Sequence, residues 1–203
     1  MATNHLSQDE RMAHGKAREK EVLALLNSLE VVVEGVRYFD FTPSESQDDI
    51  YNKIDAWCIS DGGAHSVQIK FRDRGEDLGV AAVRPYHGHA DFVRGIDRGH
   101  VDWDRDMKGD VDLYVCLVDN ASVLVVTTGK RVKRAVTLLL AAFAADHKGF
   151  NGTRSWYSDK MRGAVVKLVT DQGSEGYSAG QNKIVIYLAP WLLGNHGAMV
   201  KRV

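Results

Sequence analysis

Apolar positions along the chain change period several times, and each change predicts an element. Val22, Leu25, Leu26 and Leu29 recur at the i, i+3, i+4, i+7 spacing of one helical stripe, so residues 9–29 are expected to form an amphipathic helix. Glu30 to Asp40 carries a Val-rich run broken at Gly35, which predicts one or two short strands. Phe41 to Asp49 (FTPSESQDD) has the composition of a polar loop. Ile50 to Ile59 and His65 to Arg72 read as strands, and Ser60-Asp61-Gly62-Gly63-Ala64 between them is a hairpin signal. Asp73 to Asp110 is polar, Gly-rich and irregular, with a short helix expected near Ala90 to Ile96; long segments of this kind are often functional loops. Val111 to Val118 and Ser122 to Thr127 read as strands, and a helix follows from about Lys130 to Asp146. Ala164 to Thr170 and Lys183 to Leu188 add two strands. The order αββ(β)…ββα…ββ predicts a single α/β domain around a mixed sheet, with a core at about 9–146 and a C-terminal elaboration at about 147–203.

Composition narrows the class. Of 203 residues, 44% are hydrophobic and 26% charged, the balance of an ordinary globular protein. Lys+Arg 26 against Asp+Glu 27 leaves a formal charge of −1, so any nucleic-acid contact must come from a local patch. The apolar run Ala135 to Ala145 is about half the length of a membrane span. The opening MATNHLSQDERM lacks the basic-then-apolar order of a secretion signal. Cys58 and Cys116 each sit in a strand-like run, which fits a reducing compartment better than a disulfide framework. A cytoplasmic protein without membrane attachment is expected.

Strand alternation then picks out a candidate site. Tyr51, Lys53, Asp55 and Trp57 share one face of their strand, while Ser66, Gln68, Lys70 and Arg72 share one face of the next. The apolar set Ile54, Ala56, Val67, Ile69 and Phe71 belongs to the core, so Asp55, Gln68 and Lys70 point together away from it if the loop has an even length. A two-residue turn at Gly62-Gly63 sets Asp55 opposite Lys70; one at Asp61-Gly62 sets it opposite Gln68; an odd loop puts Asp55 on the wrong face. On the helix, Glu19 falls roughly 70° and Glu21 roughly 90° from the centre of the apolar stripe. Glu19 is therefore at the margin of the face that packs on the sheet.

Gly15-Lys16-Ala17-Arg18-Glu19, the apolar helix, Asp55 and Gln68-Ile69-Lys70 together resemble the PD-(D/E)XK nuclease superfamily over about residues 11–72. The helix opening GKAREKEVLALL is similar to the archaeal Holliday-junction resolvase branch, where a GxxxE helix precedes the Asp and (E)xK strands. Ile54 stands at the Pro position of the family name, and Gln68 replaces its second acid. The resemblance implies a restriction-endonuclease-like αβββαβ core, with a central mixed sheet flanked by helices and extra C-terminal strands. It also implies a metal-dependent endonuclease acting on structured or duplex DNA, with Glu19, Asp55, Gln68 and Lys70 as catalytic residues. Mg²⁺, with Mn²⁺ able to substitute, would be held by Asp55, the Gln68 amide oxygen, the Ile69 carbonyl and Glu19. Lys70 would orient the attacking water and stabilise the oxyanions of the phosphoryl centre. Duplex cleavage needs two cuts, which makes a homodimer the expected assembly. A catalytically decayed descendant that binds nucleic acid or protein is the alternative, with Gln68 as the mark of decay. An Asp and a Lys on adjacent strands also make ordinary ion pairs worth about 0.2–1 kcal/mol.

Three other groups carry chemistry. His87-Gly88-His89-Ala90-Asp91 matches most of an HxHxDH zinc signature but has Phe92 at the final His position, so a zinc hydrolase is a minor alternative. Arg72, Arg74 and Arg84 follow the Lys70 strand and are candidates for clamping phosphates. Lys130, Arg131, Lys133 and Arg134 cluster where a helix starts, a placement that opposes the helix dipole and favours recruitment for a polyanion.

Overall fold

The computed structural model describes residues 7–45, 54–72, 78–83, 111–118, 122–146, 155–157, 164–170, 182–188 and 199–203. Helix α1 spans Gln8–Ser28. It starts on a capping box: the Glu10 N–H donates to Ser7 Oγ at 3.3 Å, and the Ser7 N–H donates to Glu10 Oε2 at 2.7 Å. These bonds favour the ionised Glu10 carboxylate and lower its pKa. Val22, Leu23 and Leu26 form its buried stripe, with Leu25 and Leu29 partly buried beside it.

Strands β1 (Val31–Val33) and β2 (Val36–Pro43) form an antiparallel hairpin about Glu34-Gly35. β3 (Ala56–Ser60) and β4 (Gly63–Arg72) continue the meander. β5 covers Leu78–Val83, β6 covers Leu113–Val118 and β7 covers Val123–Thr128, after which helix α2 runs over Gly129–Asp146. β8 (Ser155–Tyr157), β9 (Ala164–Thr170), β10 (Asn182–Leu188) and β11 (Met199–Arg202) complete the described elements. The seven-stranded sheet has the order β1-β2-β3-β4-β6-β7-β11, and a four-stranded sheet has the order β5-β10-β9-β8. Within the larger sheet β4 and β6 are parallel, and the other pairings are antiparallel. The protein is thus a mixed α/β fold.

Several sequence expectations change. β2 runs on through Thr42 and Pro43, which pair with Trp57 and Ala56, so the polar composition from Phe41 concealed the end of a strand. A one-residue register shift between Phe39 and Thr42 accompanies this, with Asp40 at φ 52°. Asn27 satisfies the displaced main chain: its side-chain amide donates to the Phe41 carbonyl and accepts from the Phe41 N–H, both at 2.8 Å. The predicted strand from Ile50 shortens to Ala56–Ser60, and residues 50–53 lie outside the described residues. β5, β8 and β11 are strands that the hydrophobic pattern did not reveal. The expected helix near Ala90 to Ile96 lies outside the described residues.

One face of the large sheet packs with α1. Val31, Tyr38, Phe41, Ala56, Cys58, Val67, Ile69, Leu113 and Val126 join Val22, Leu23 and Leu26 in a single buried cluster. On the other face α2 packs on β6 and β7, burying Val132, Val136, Leu139 and Phe143. That helix leaves Val32, Phe39 and Ile59 of the first three strands exposed. β1 also lies against β7 and β11, at the far end of the strand order, so the sheet curls back on itself. An ion pair between Glu34 in the β1–β2 turn and Arg131 of α2 ties the two ends. Among the described residues, no helix is long and apolar enough to cross a membrane.

Candidate functional site

The β3–β4 hairpin decides where the candidate residues meet. Ser60 pairs with Gly63, so Asp61-Gly62 is the two-residue turn, and Gly63 follows at φ +117°. From Ala56↔Val67 the same register continues to Asp55 opposite Gln68, the arrangement that an Asp61-Gly62 turn predicts. Regular pairing of β3 stops at Ala56. Just before it, the Asp55 N–H donates to the Val67 carbonyl at 2.9 Å and the Asp55 carbonyl accepts from the Ser44 N–H at 3.1 Å.

With the ladder ended, the Asp55 side chain takes over its hydrogen bonding. Val67 and Ile69 turn their main-chain groups to the same side of β4, and the Ile69 N–H has passed the end of β3. It donates instead to Asp55 Oδ2 at 2.6 Å. Lys70 Nζ stands 4.0 Å from the same oxygen. The Asp55 side chain is only 11% exposed and that of Lys70 34%, so the pair is partly desolvated. Gln68 is buried between them in sequence at 6% exposure, and its neighbour on β6 is Tyr114. A strand residue points its N–H and C=O the same way, so the Ile69 carbonyl also faces the Asp55 side.

Glu19 is half-buried on α1. The observed stripe includes Leu23, which shifts its centre toward Glu19: at 100° per residue, Glu19 falls between Leu26 and Leu23 on the wheel. However, α1 packs on the face carrying Ala56, Val67 and Ile69, whereas Gln68 and Lys70 belong to the opposite face of β4. The helix that carries Glu19 therefore packs on the sheet face opposite to Gln68 and Lys70. The structure brings Asp55, Ile69 and Lys70 together directly.

The remaining candidates divide. Arg72 ends β4, paired with Val118. Arg74, Arg84, His87, His89 and Asp91 lie outside the described residues. Lys130, Arg131, Lys133 and Arg134 occupy the first two turns of α2, whose first turn holds no acid. Lys130 and Arg134 are exposed, Lys133 is half-buried, and Arg131 is engaged by Glu34.

Sequence reasoning missed Asp112. Its Oδ2 accepts from the Ser66 N–H at 2.8 Å and from Ser66 Oγ at 2.9 Å, while its own N–H donates to Ser66 Oγ at 3.0 Å. β4 is thus held by one aspartate on its β3 side and another on its β6 side. In the sequence Asp112 is one polar residue at the start of the strand-like run Val111 to Val118, and the strand itself begins after it, at Leu113. Burial, with the Asp112 charge as a smaller cause, pushes the Cys58 thiol up to about 12. Burial likewise raises Tyr38, whose ring stacks edge-on against His65 at 5.3 Å. His65 Nε2 is 2.8 Å from Ser60 Oγ, a contact that stiffens the hairpin tip.

Among the described residues, no three or more His, Cys, Asp and Glu side chains gather to hold a metal. The expected set needs fewer, since it combines Asp55 with an amide and a main-chain carbonyl. A partly buried carboxylate opposed in register by an amide residue, with a peptide oxygen on its side of β4 and neither thiolate nor imidazole in the set, is a donor chemistry that fits a hard divalent cation. No family model, curated protein or solved structure matches the chain.

Proposed function

We propose that this protein is a metal-dependent nuclease that hydrolyses DNA phosphodiester bonds on a PD-(D/E)XK-type core. The observation that carries the reading is the Asp55 carboxylate at the end of β3, 2.6 Å from the Ile69 N–H and 4.0 Å from Lys70 Nζ. Chain order is compatible with it: α1 precedes the β2–β3–β4 meander, and β6 then lies parallel to β4, while residues 84–110 between them, where the αβββαβ pattern has its second helix, lie outside the described residues. Asp55, the Gln68 amide oxygen and the Ile69 carbonyl would hold Mg²⁺ or Mn²⁺, with Glu19 completing the set. Bound there, the cation supplies a water of lowered pKa and neutralises charge on the phosphate.

The protein's own groups then do the rest. The Ile69 N–H fixes the orientation of the Asp55 carboxylate, so little reorganisation accompanies the reaction. Lys70 keeps its ammonium at a partly desolvated position, where it orients the attacking water and balances negative charge growing on the phosphoryl oxygens. Two copies acting together would cut both strands of a duplex.

The test uses supercoiled, linear and branched DNA with Mg²⁺ or Mn²⁺, and compares wild type with Asp55→Ala and Lys70→Ala. Loss of cutting in both is expected, with Lys70→Ala reduced about 10²–10³-fold. Cutting that survives both substitutions removes the assignment. Gln68, an amide where the family has an acid, favours a second reading as a decayed nuclease fold that binds DNA. Metal-independent binding without cutting by the wild type selects it.

A further inference from the structure

Beside the candidate site, the sheet face that α2 leaves bare presents aromatic groups. Trp57 lies two residues along β3 from Asp55, which by alternation puts it on the same face at about 6.7 Å along the strand. Trp57 is half-buried, and the next residue on that face, Ile59, pairs with Phe39 of β2; Ile59 is 43% and Phe39 39% exposed. A hollow of about 740 Å³ beside β2 and β3 takes Phe39, Thr42, Trp57 and Ile59 into its lining, together with Leu26 and Asn27 of α1. Arg37 shares the face of Phe39 one alternation further on, and its side chain is 69% exposed with a 3.9 Å contact to Glu30. The surface thus runs from Lys70 beside Asp55, past Trp57 and Phe39, to Arg37: two aromatic faces between two cations.

We infer that this surface binds unpaired nucleotides flanking the phosphate held at Asp55, with bases stacked on Trp57 and Phe39 and a neighbouring phosphate at Arg37. The inference rests on the phosphodiester reading and narrows it to DNA that is single-stranded next to the cut. Phe39 pairs with Ile59, so it lies one strand across and one two-residue step along from Trp57, roughly 8 Å by strand geometry, a distance that one extended nucleotide can bridge. A paired base cannot do this, because its π faces are already covered by its neighbours in the duplex. Stacking tolerates any base, and the cations at either end match the backbone charge. The substrate class is therefore flaps, junction arms or frayed ends, in preference to continuous duplex.

The experiment measures binding of the full chain in EDTA to fluorescent oligo-dT and to a blunt duplex of equal length. Cleavage of flap and fully paired substrates with Mn²⁺ is measured in parallel. Wild type is expected to favour oligo-dT, and Phe39→Ala and Trp57→Ala are each expected to weaken it about 5- to 150-fold. Phe39→Leu keeps the apolar bulk without the π face and should weaken binding too, whereas Phe39→Trp should restore it. Melting curves restrict the comparison to folded variants, and Phe39, being exposed, keeps the test open if Trp57→Ala does not fold. Equal affinity for both DNAs, or oligo-dT affinity unchanged by the Phe39 variants, overturns the inference even if Asp55→Ala abolishes cutting. Aromatic-dependent oligo-dT binding with no cutting by wild type upholds the stacking surface while the catalytic reading fails.

Discussion

Gln68 is the residue whose chemistry most affects the proposed site. An amide in place of a carboxylate removes one negative charge from the set of oxygen donors, so a weaker hold on Mg²⁺ and better activation by Mn²⁺ are expected. Gln68→Glu should raise activity at low Mg²⁺; equal activity at equal low Mg²⁺ counts against the assigned role. Because Gln68 is 6% exposed, the variant also places a second buried carboxylate near Asp55. That should cost a few kcal/mol in EDTA, visible as a lower Tm that recovers when Mn²⁺ is added. Cys58 supplies a pH signature. Its thiol is raised to about 12 in the fold, against about 8.5 in an unfolded chain. The folded state therefore favours the protonated form. This contribution to stability is complete below about pH 8.5 and is lost progressively as pH rises toward 12. Denaturant titrations at pH 7.5 and 10.5 should show wild type losing more stability over that interval than Cys58→Val.

Elements were legible where local pattern and tertiary demand agree. α1 was readable from its apolar spacing, and the β3–β4 hairpin from its Asp-Gly-Gly turn, because both depend on neighbours within a few residues. β8 and β11 were not, since strands of three or four residues exist only through partners far away in the chain. The start of α2 shows a constraint of another kind. The Gly129 N–H donates to the Asp112 carbonyl at 2.7 Å, and a Cβ on Gly129 would stand 1.8 Å from the Val111 carbonyl oxygen. Backbone cannot yield as a flexible side chain would, so Gly129→Ala should destabilise by about 3 kcal/mol, the upper end of overpacking costs, read from urea unfolding. It should also disturb Asp112, whose carboxylate holds Ser66.

For the whole molecule, curling of the seven-stranded sheet brings residues from opposite ends of its strand order together. The Glu34–Arg131 pair spans that junction, with side chains 34% and 30% exposed. A double-mutant cycle with Glu34→Gln and Arg131→Met is expected to give a coupling of about 0.5–1 kcal/mol that declines with added salt. A coupling of zero would mean that the apolar contacts of β1 alone keep the sheet curled. Of the four cations at the start of α2, Arg131 is the one that this pair joins to the fold.

What the sequence alone determined was periodicity: a helical stripe, alternating strands and a hairpin turn between two of them, whose even length, putting Asp55 and Lys70 on one face, came from the fold. Those properties follow from bond geometry over short distances, whereas the choice of Asp55, Gln68 and Lys70 among the residues sharing those faces rested on the family resemblance. Tertiary structure decided where β3 stops pairing, and hence that Asp55 caps the Ile69 N–H with its carboxylate. It also decided that α1 packs on the sheet face opposite to Gln68 and Lys70 and that Asp112 braces β4 from β6. Such outcomes depend on which distant strands share a sheet and which face each helix covers. No spacing along the chain encodes them, because they are settled by competition among all the apolar surfaces for burial at once.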